Sequence, residues 1–202
     1  MNHRGEWRAT THDWSSDVDH AHLQHIREHA ATYGGIDHLL LEVLAHPVDE
    51  AESTGIKGSV MIITHPDGSI SLADNGRGTD TRFDGNGLAV RKPIMSTADV
   101  RYFDREPPVL LADGRPRRGM SAVGALSTWA VHTNGRTEGA WSQRYEHGVP
   151  VGELVHGRAR GRTGTTIHFL PDDQLVADIV PDLDKIAEWG TELGLSMHIH
   201  RS

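Results

Sequence analysis

The chain reads as an α/β protein of two layers, a mixed and mostly antiparallel sheet with helices packed on one face. Three features lead there. Apolar residues recur at helical spacing in Ile36, Leu39, Leu40, Val43 and Leu44. Two stretches, Ser59 to Ala73 and Thr128 to Tyr145, read as hairpins, each with strand-like residues on either side of a turn-forming sequence. Further strands follow at Gly164 to Leu170 and Leu195 to His200, with an amphipathic helix from Asp182 to Leu193 between them.

In chain order, residues 1–19 are polar, with Trp7 and Trp14 but no periodicity, and are expected to form a mobile arm ahead of one domain spanning 20–202. Val18 to Ala31 predicts a helix that puts His22, His25 and His29 on one face, as a metal site or as a solvated surface. Gly34 and Gly35 break it. The next helix, Ile36 to Ala51, carries Glu42 beside its apolar stripe, where a carboxylate needs a partner or a task. His46 lies one turn further on. Pro47 removes the bond to the Val43 carbonyl and is expected to kink the axis.

The first hairpin turns through His65-Pro-Asp-Gly68 and brings Asp74 to the end of a strand. Thr79 to Leu111 is weakly periodic and is left without firm elements. Gly119 to Ser127 opens a helix at a glycine, and free amides at its start make a natural seat for phosphate, or simply a site of close packing. The second hairpin is expected to turn at Asn134-Gly135. Val151 to Val155 adds a short strand.

Composition narrows the function. At 202 residues the chain can bury a substantial core. A net charge of −8 argues against a broad DNA-binding face, although Arg115, Arg117 and Arg118, and Arg158, Arg160 and Arg162, form local basic clusters. With no cysteine there is no disulfide, thiolate metal site or thiol nucleophile. No apolar run reaches membrane-span length and no secretory leader is visible, so a cytoplasmic protein is expected. Fifteen histidines would move the net charge upward at mildly acidic pH. Neither a P-loop, a dinucleotide-binding glycine fingerprint, nor a His-Glu-x-x-His metal motif occurs.

The chemically suggestive stretch is Asp74-Asn-Gly-Arg-Gly78. A carboxylate at a strand mouth, followed by two glycines, lets backbone pass close to a flat ligand, and the Asp can accept from an exocyclic amine such as adenine N6. Asp-Asn-Gly is equally the composition of an ordinary turn. With the helix Ile36 to Ala51, the glycine-led helix at Gly119, the stretch Arg162 to Asp172 and the sequence Tyr145-Glu-His-Gly-Val-Pro150, the chain from about Leu23 resembles the ATP-binding domain of gyrase B. That domain belongs to the GHKL (Bergerat-fold) superfamily of ATPases.

The resemblance implies ATP with Mg²⁺ as cofactor, and it implies roles. Asp74 and Thr165 would read adenine, Arg77, Gly78 and Arg136 would line the base, and Glu50 would pair with Arg77. Gly119 and its neighbours would hold phosphate, and Glu42 would be the general base. His46 stands where the family has an asparagine that coordinates Mg²⁺, and imidazole is a poorer partner for that ion. Asp113 to Arg118 is read as the remnant of the family's glycine-rich lid, with Arg115, Pro116, Arg117 and Arg118 in its middle. The family's transducer and DNA-gating regions find no counterpart. The expectation is therefore a nucleotide-binding domain with weak hydrolysis, working with a topoisomerase or another protein partner. The alternative is an interaction module that keeps the fold without nucleotide.

Overall fold

The computed structural model describes residues 18–90, 92–103, 105–157 and 162–201. The expected arm, 1–19, lies outside them except for Val18 and Asp19, as do Arg158 and Arg160.

Helix α1, His20–Glu28, starts where the Asp19 carboxylate accepts from the His22 amide at 3.0 Å. A single 3-10 turn, Ala30–Tyr33, leads to α2, Ile36–Thr54. This helix runs past Ala51 and through Pro47, which forfeits one backbone bond while the surrounding turns stay packed. It stops at Gly55, whose left-handed backbone lets its amide return to the Ala51 carbonyl at 2.9 Å. Leu39, Leu40, Leu41 and Leu44 are all buried, so the central turns of α2 are covered on every side, wider than the predicted stripe. The short helix α3, Met120–Ala125, lies beside α1 and α2, and α4, Leu183–Glu192, is capped by Asp182.

The main sheet has seven strands. β1 (Ser59–Thr64) and β2 (Ile70–Asp74) form the first hairpin. A separate two-stranded ribbon, β3 (Arg82–Phe83) with β4 (Ala89–Val90), turns where Asp84 Oδ1 accepts from the Asn86 and Leu88 amides. β5 (Ser127–Arg136), β6 (Gly139–Glu146), β7 (Val149–Gly157), β8 (Gly164–Pro171) and β9 (Ser196–Arg201) complete the set. The order is β7-β6-β5-β8-β2-β1-β9, antiparallel throughout except for β1 against β9. The expected fold class, α/β with a mixed, mostly antiparallel sheet, is the one observed. Val60, Ile62, Leu72, Ile167, Phe169 and Tyr145 point from the sheet into the core shared with the helices.

Two sequence expectations need correction. The β5–β6 turn falls at Thr137-Glu138, because Asn134 is buried within β5 and bonds its amide group to the chain after Gly78: its Oδ1 accepts from the Thr79 amide at 2.6 Å and its Nδ2 donates to the Thr79 carbonyl at 3.1 Å. His22, His25 and His29 do not share one face. His22 turns inward, its Nε2 2.9 Å from Ser121 Oγ, whereas the exposed His25 and His29 rings pack on each other. Among the described residues no group of three or more potential ligands converges.

β2 and β8 approach so closely at Asp74 that Gly164 is obligatory. Its φ is +134°, and a Cβ there would lie 2.1 Å from the Asp74 carbonyl oxygen. Gly164→Ala is therefore expected to cost about 2–4 kcal/mol in urea denaturation. Gly139→Ala, where an added Cβ meets nothing within 4 Å, should shift the midpoint little.

Candidate nucleotide site

The C-terminal half of α2, the end of β2 and the start of β8 frame an open cleft of about 440 Å³. Its wall includes His46, Asp49, Glu50, Asp74, Gly78 and Thr165, with Asp80, Lys92 and Arg101 from the segment that follows β2. A compact apolar recess of about 50 Å³ shares Asp74, His46 and Thr165 with it and adds Val43, Leu72, Ile94, Met120 and Ile167. A polar cleft ending in an apolar slot suits a ligand with a flat hydrophobic part and a charged part.

Asp74 stands where the two spaces meet. Its Oδ1 accepts from the Gly76 amide at 2.8 Å and the Thr165 amide at 3.2 Å, which fixes the carboxylate plane. Oδ2 has no hydrogen-bond partner among the described residues. Burial pushes this carboxyl up, against the pull of those two amides, and the Glu50 charge adds to the rise. The loop beyond it needs glycine at 78: φ is +82°, and a Cβ would meet the Gly135 carbonyl at 2.4 Å and Asn134 Oδ1 at 2.6 Å.

Other candidate residues stand outside the cleft. Arg77 is 63% exposed and grips Glu50 through a two-pronged bond, Nε to Oε1 at 2.6 Å and Nη2 to Oε2 at 2.9 Å, which holds the Glu50 carboxyl down. Arg136 donates to the Gly78 carbonyl at 3.1 Å and to Glu138 at 2.7 Å, and lines a separate groove under β3 and β4. Glu42 is fully buried. Both its oxygens are taken by backbone, from the Arg118 amide at 2.5 Å and the Gly119 amide at 2.8 Å. Of the amides offered by sequence as a phosphate seat, that of Gly119 thus already holds a carboxylate, together with that of Arg118 just ahead of it.

Behind Glu42 lies His38, with Nε2 3.4 Å from Glu42 and Nδ1 2.7 Å from Asp113. Burial pulls the His38 imidazole down, but the two carboxylates outweigh it and hold it above its ordinary value. Arg117, 5% exposed, closes the same segment onto α2. Its fork meets both oxygens of Asp49 at 2.9 and 2.7 Å, and its guanidinium lies 4.0 Å over the Tyr102 ring. The segment read as a lid remnant is therefore fastened down at Asp49 and at Glu42, and its buried arginine serves a protein carboxylate.

His38, Asp49, Asn134, Lys92 and Arg101 escaped sequence reasoning. For Lys92 and Arg101 the only signal was charge inside the stretch left without elements. For Asn134, a turn-forming composition masked a strand.

With this geometry in place, comparison with known proteins decides the kinship. The chain is 33% identical over 156 residues to the DNA gyrase B protein of Mycobacterium leprae (strain TN), which covers 76% of this chain and 23% of that protein. It is 34% identical over 142 residues to the DNA gyrase B protein of Mycolicibacterium smegmatis (70% and 21%), and 32% over 143 residues to the DNA topoisomerase 4 B protein of Enterococcus faecalis (70% and 21%). The matched stretch is a gyrase-B-like domain. The chain spans about a fifth of the length of these relatives. No family model matches it. No helix among the described residues is long and apolar enough to cross a membrane.

The Mg²⁺ that the resemblance implies is poorly served by the residues present. His46 Nε2 is covered and lacks a hydrogen-bond partner, but it is a single nitrogen donor for an ion that prefers oxygen. Asp49, one turn on, has both oxygens on Arg117. Burial and then the Arg117 charge push the His46 imidazole down to about 4, so its surroundings already disfavour added positive charge. The donor set does not fit Mg²⁺.

Glu42→Ala orphans one buried and one part-buried amide and should cost about 2–4 kcal/mol of stability, read by chemical denaturation. Stability should also fall as pH drops from about 6.5 toward 4. His46 and His132, buried neutral with values near 4 and near 3, refuse protons that the unfolded chain takes up from about 6.5. Asp49 and Glu50, held down by arginines, extend the loss to lower pH, and Asp74, pushed up, opposes it. Denaturation midpoints across pH should show this slope, and His46→Asn should make it shallower.

Proposed function

We propose that this chain is a gyrase-B-like nucleotide-binding domain that takes ATP or ADP in the cleft between α2, the Asp74 loop and β8, and hydrolyses ATP slowly if at all. The observation that carries the reading is Asp74: one oxygen is pinned by the Gly76 and Thr165 amides, the other has no partner among the described residues, and an apolar recess opens beside it. An adenine ring placed there would give its exocyclic amine to Oδ2 and its faces to Val43, Ile94 and Ile167, with the Thr165 side chain alongside. Relatives that carry the names DNA gyrase and DNA topoisomerase 4 support the ligand class. They also suggest service beside a topoisomerase or another protein partner.

Slow turnover follows from Glu42. A general base must accept a proton from water, and both Glu42 oxygens already accept from Arg118 and Gly119. Hydrolysis would require that segment to withdraw and expose the carboxylate. Losing one transition-state contact commonly removes about a hundredfold or more in rate, so turnover is expected to lie near the detection limit of a phosphate-release assay.

Binding of a non-hydrolysable ATP analogue tests the reading. At about a hundred times Kd the melting temperature should rise by about 5 °C or more. Asp74→Ala should abolish the rise. No shift at millimolar analogue would remove nucleotide from the account and leave an interaction module with the inherited fold.

A further inference from the structure

Lys92 sits half-buried in the wall of the cleft and, among the described residues, its ammonium makes no hydrogen bond or ion pair. A lysine taken out of water without a carboxylate is costly unless an anion arrives. Burial accordingly pulls it below the usual lysine range. Arg101 lies in the same wall, its guanidinium steadied by Asp99 at 2.7 Å and by the Tyr102 ring at 4.7 Å. We propose that Lys92 and Arg101 are the phosphate-binding residues of this cleft, and that they take the polyphosphate of an adenine nucleotide as the free anion, without a divalent metal.

The proposal rests on the nucleotide reading given above and deepens it. Three features favour it. The amides of Arg118 and Gly119 are spent on Glu42 and stand outside the wall of the cleft, whereas Lys92 and Arg101 lie in it. The metal position is chemically altered: one imidazole under the charges of Arg117 and Arg101, beside an aspartate that Arg117 already grips. The wall carboxylates are largely neutralised, Asp49 by Arg117 and Glu50 by Arg77, while Asp74 is left for the base. Asp80 also lies in the wall and acts on Lys92 by charge without pairing with it. Arg101 is already forked onto Asp99, through Nε at 3.0 Å and Nη2 at 2.7 Å, so Lys92 carries the main attraction and Arg101 adds its remaining donor at Nη1. A polyphosphate arrives with the charge that a bound Mg²⁺ would otherwise have offset.

Calorimetric titration of the full chain with adenosine, ADP and ATP, each in excess EDTA and in Mg²⁺, is the test. ADP and ATP should bind in EDTA at least as tightly as in Mg²⁺, and about tenfold or more tighter than adenosine. Lys92→Met keeps the apolar stem and removes a desolvated charge, so it should fold. It should weaken ADP about tenfold and leave adenosine unchanged, and Arg101→Gln should act in the same direction. If ADP affinity collapses in EDTA, if ADP gains nothing over adenosine, or if Lys92→Met leaves ADP affinity intact, the proposal is overturned and the adenine site survives. If neither adenosine nor any nucleotide binds, the nucleotide reading falls and takes this proposal with it.

Discussion

Glu42 is a carboxylate sealed inside the helical layer, and it is stable there because two backbone amides and an imidazole meet it. Leaving such a group without partners costs several kcal/mol, a large part of the net stability of a domain this size. Its position therefore fixes others. Arg118 and Gly119 must lie against α2, Met120 must begin α3 there, and Arg117 just ahead is brought within reach of Asp49. The packing of α3 against α2 and the closing of the segment before it are one event seen from two sides.

That coupling bears on chemistry. An acidic residue inside an apolar helix invites reading as a catalyst, and the same residue here anchors the backbone just ahead of α3, reached across 77 positions of sequence. The two roles compete for the same lone pairs. On the proposed reading, whatever moves Arg117 to Gly119 away from α2 would uncover the base and the phosphate-facing amides together. Asp49 holds Arg117, and Glu42 holds the amides of Arg118 and Gly119, so the closed segment is satisfied by protein carboxylates.

Sequence made the fold legible where periodicity is strong. The apolar repeat of α2, the alternation through β1 and β2, and the capped helix at Asp182 all match local propensity with tertiary use. It failed where a side chain stands in for backbone. Asn134-Gly135 has the composition of a turn, yet Asn134 pairs its amide group with Thr79 and Gly135 leaves room for the chain at Arg162 to Gly164, so the strand continues and Thr137-Glu138 turns instead. The segment 79–111 was opaque because its order comes from partners distant in sequence. Arg101 and Arg117 flank the Tyr102 ring, and Asp49 on α2 completes the set, which no local pattern announces.

The candidate site divides along the same line. Its Asp74 end is built from neighbours in sequence and from adjacent strands, Asp74 with Gly76, and Thr165 across a ladder that Gly164 permits. That Asp74 and Thr165 come together at one cleft is what the sequence led to expect. Its charged end is assembled from α2, the chain around Lys92 and the loop at Arg101, and there the balance of charges decides the chemistry. An imidazole held near 4 by burial and by Arg117 is neutral at physiological pH, so it does not offset the cations beside it. Lys92, unpaired among the described residues, and Arg101, steadied by Asp99, leave the charged end of the cleft better matched to an oxyanion than to a metal ion.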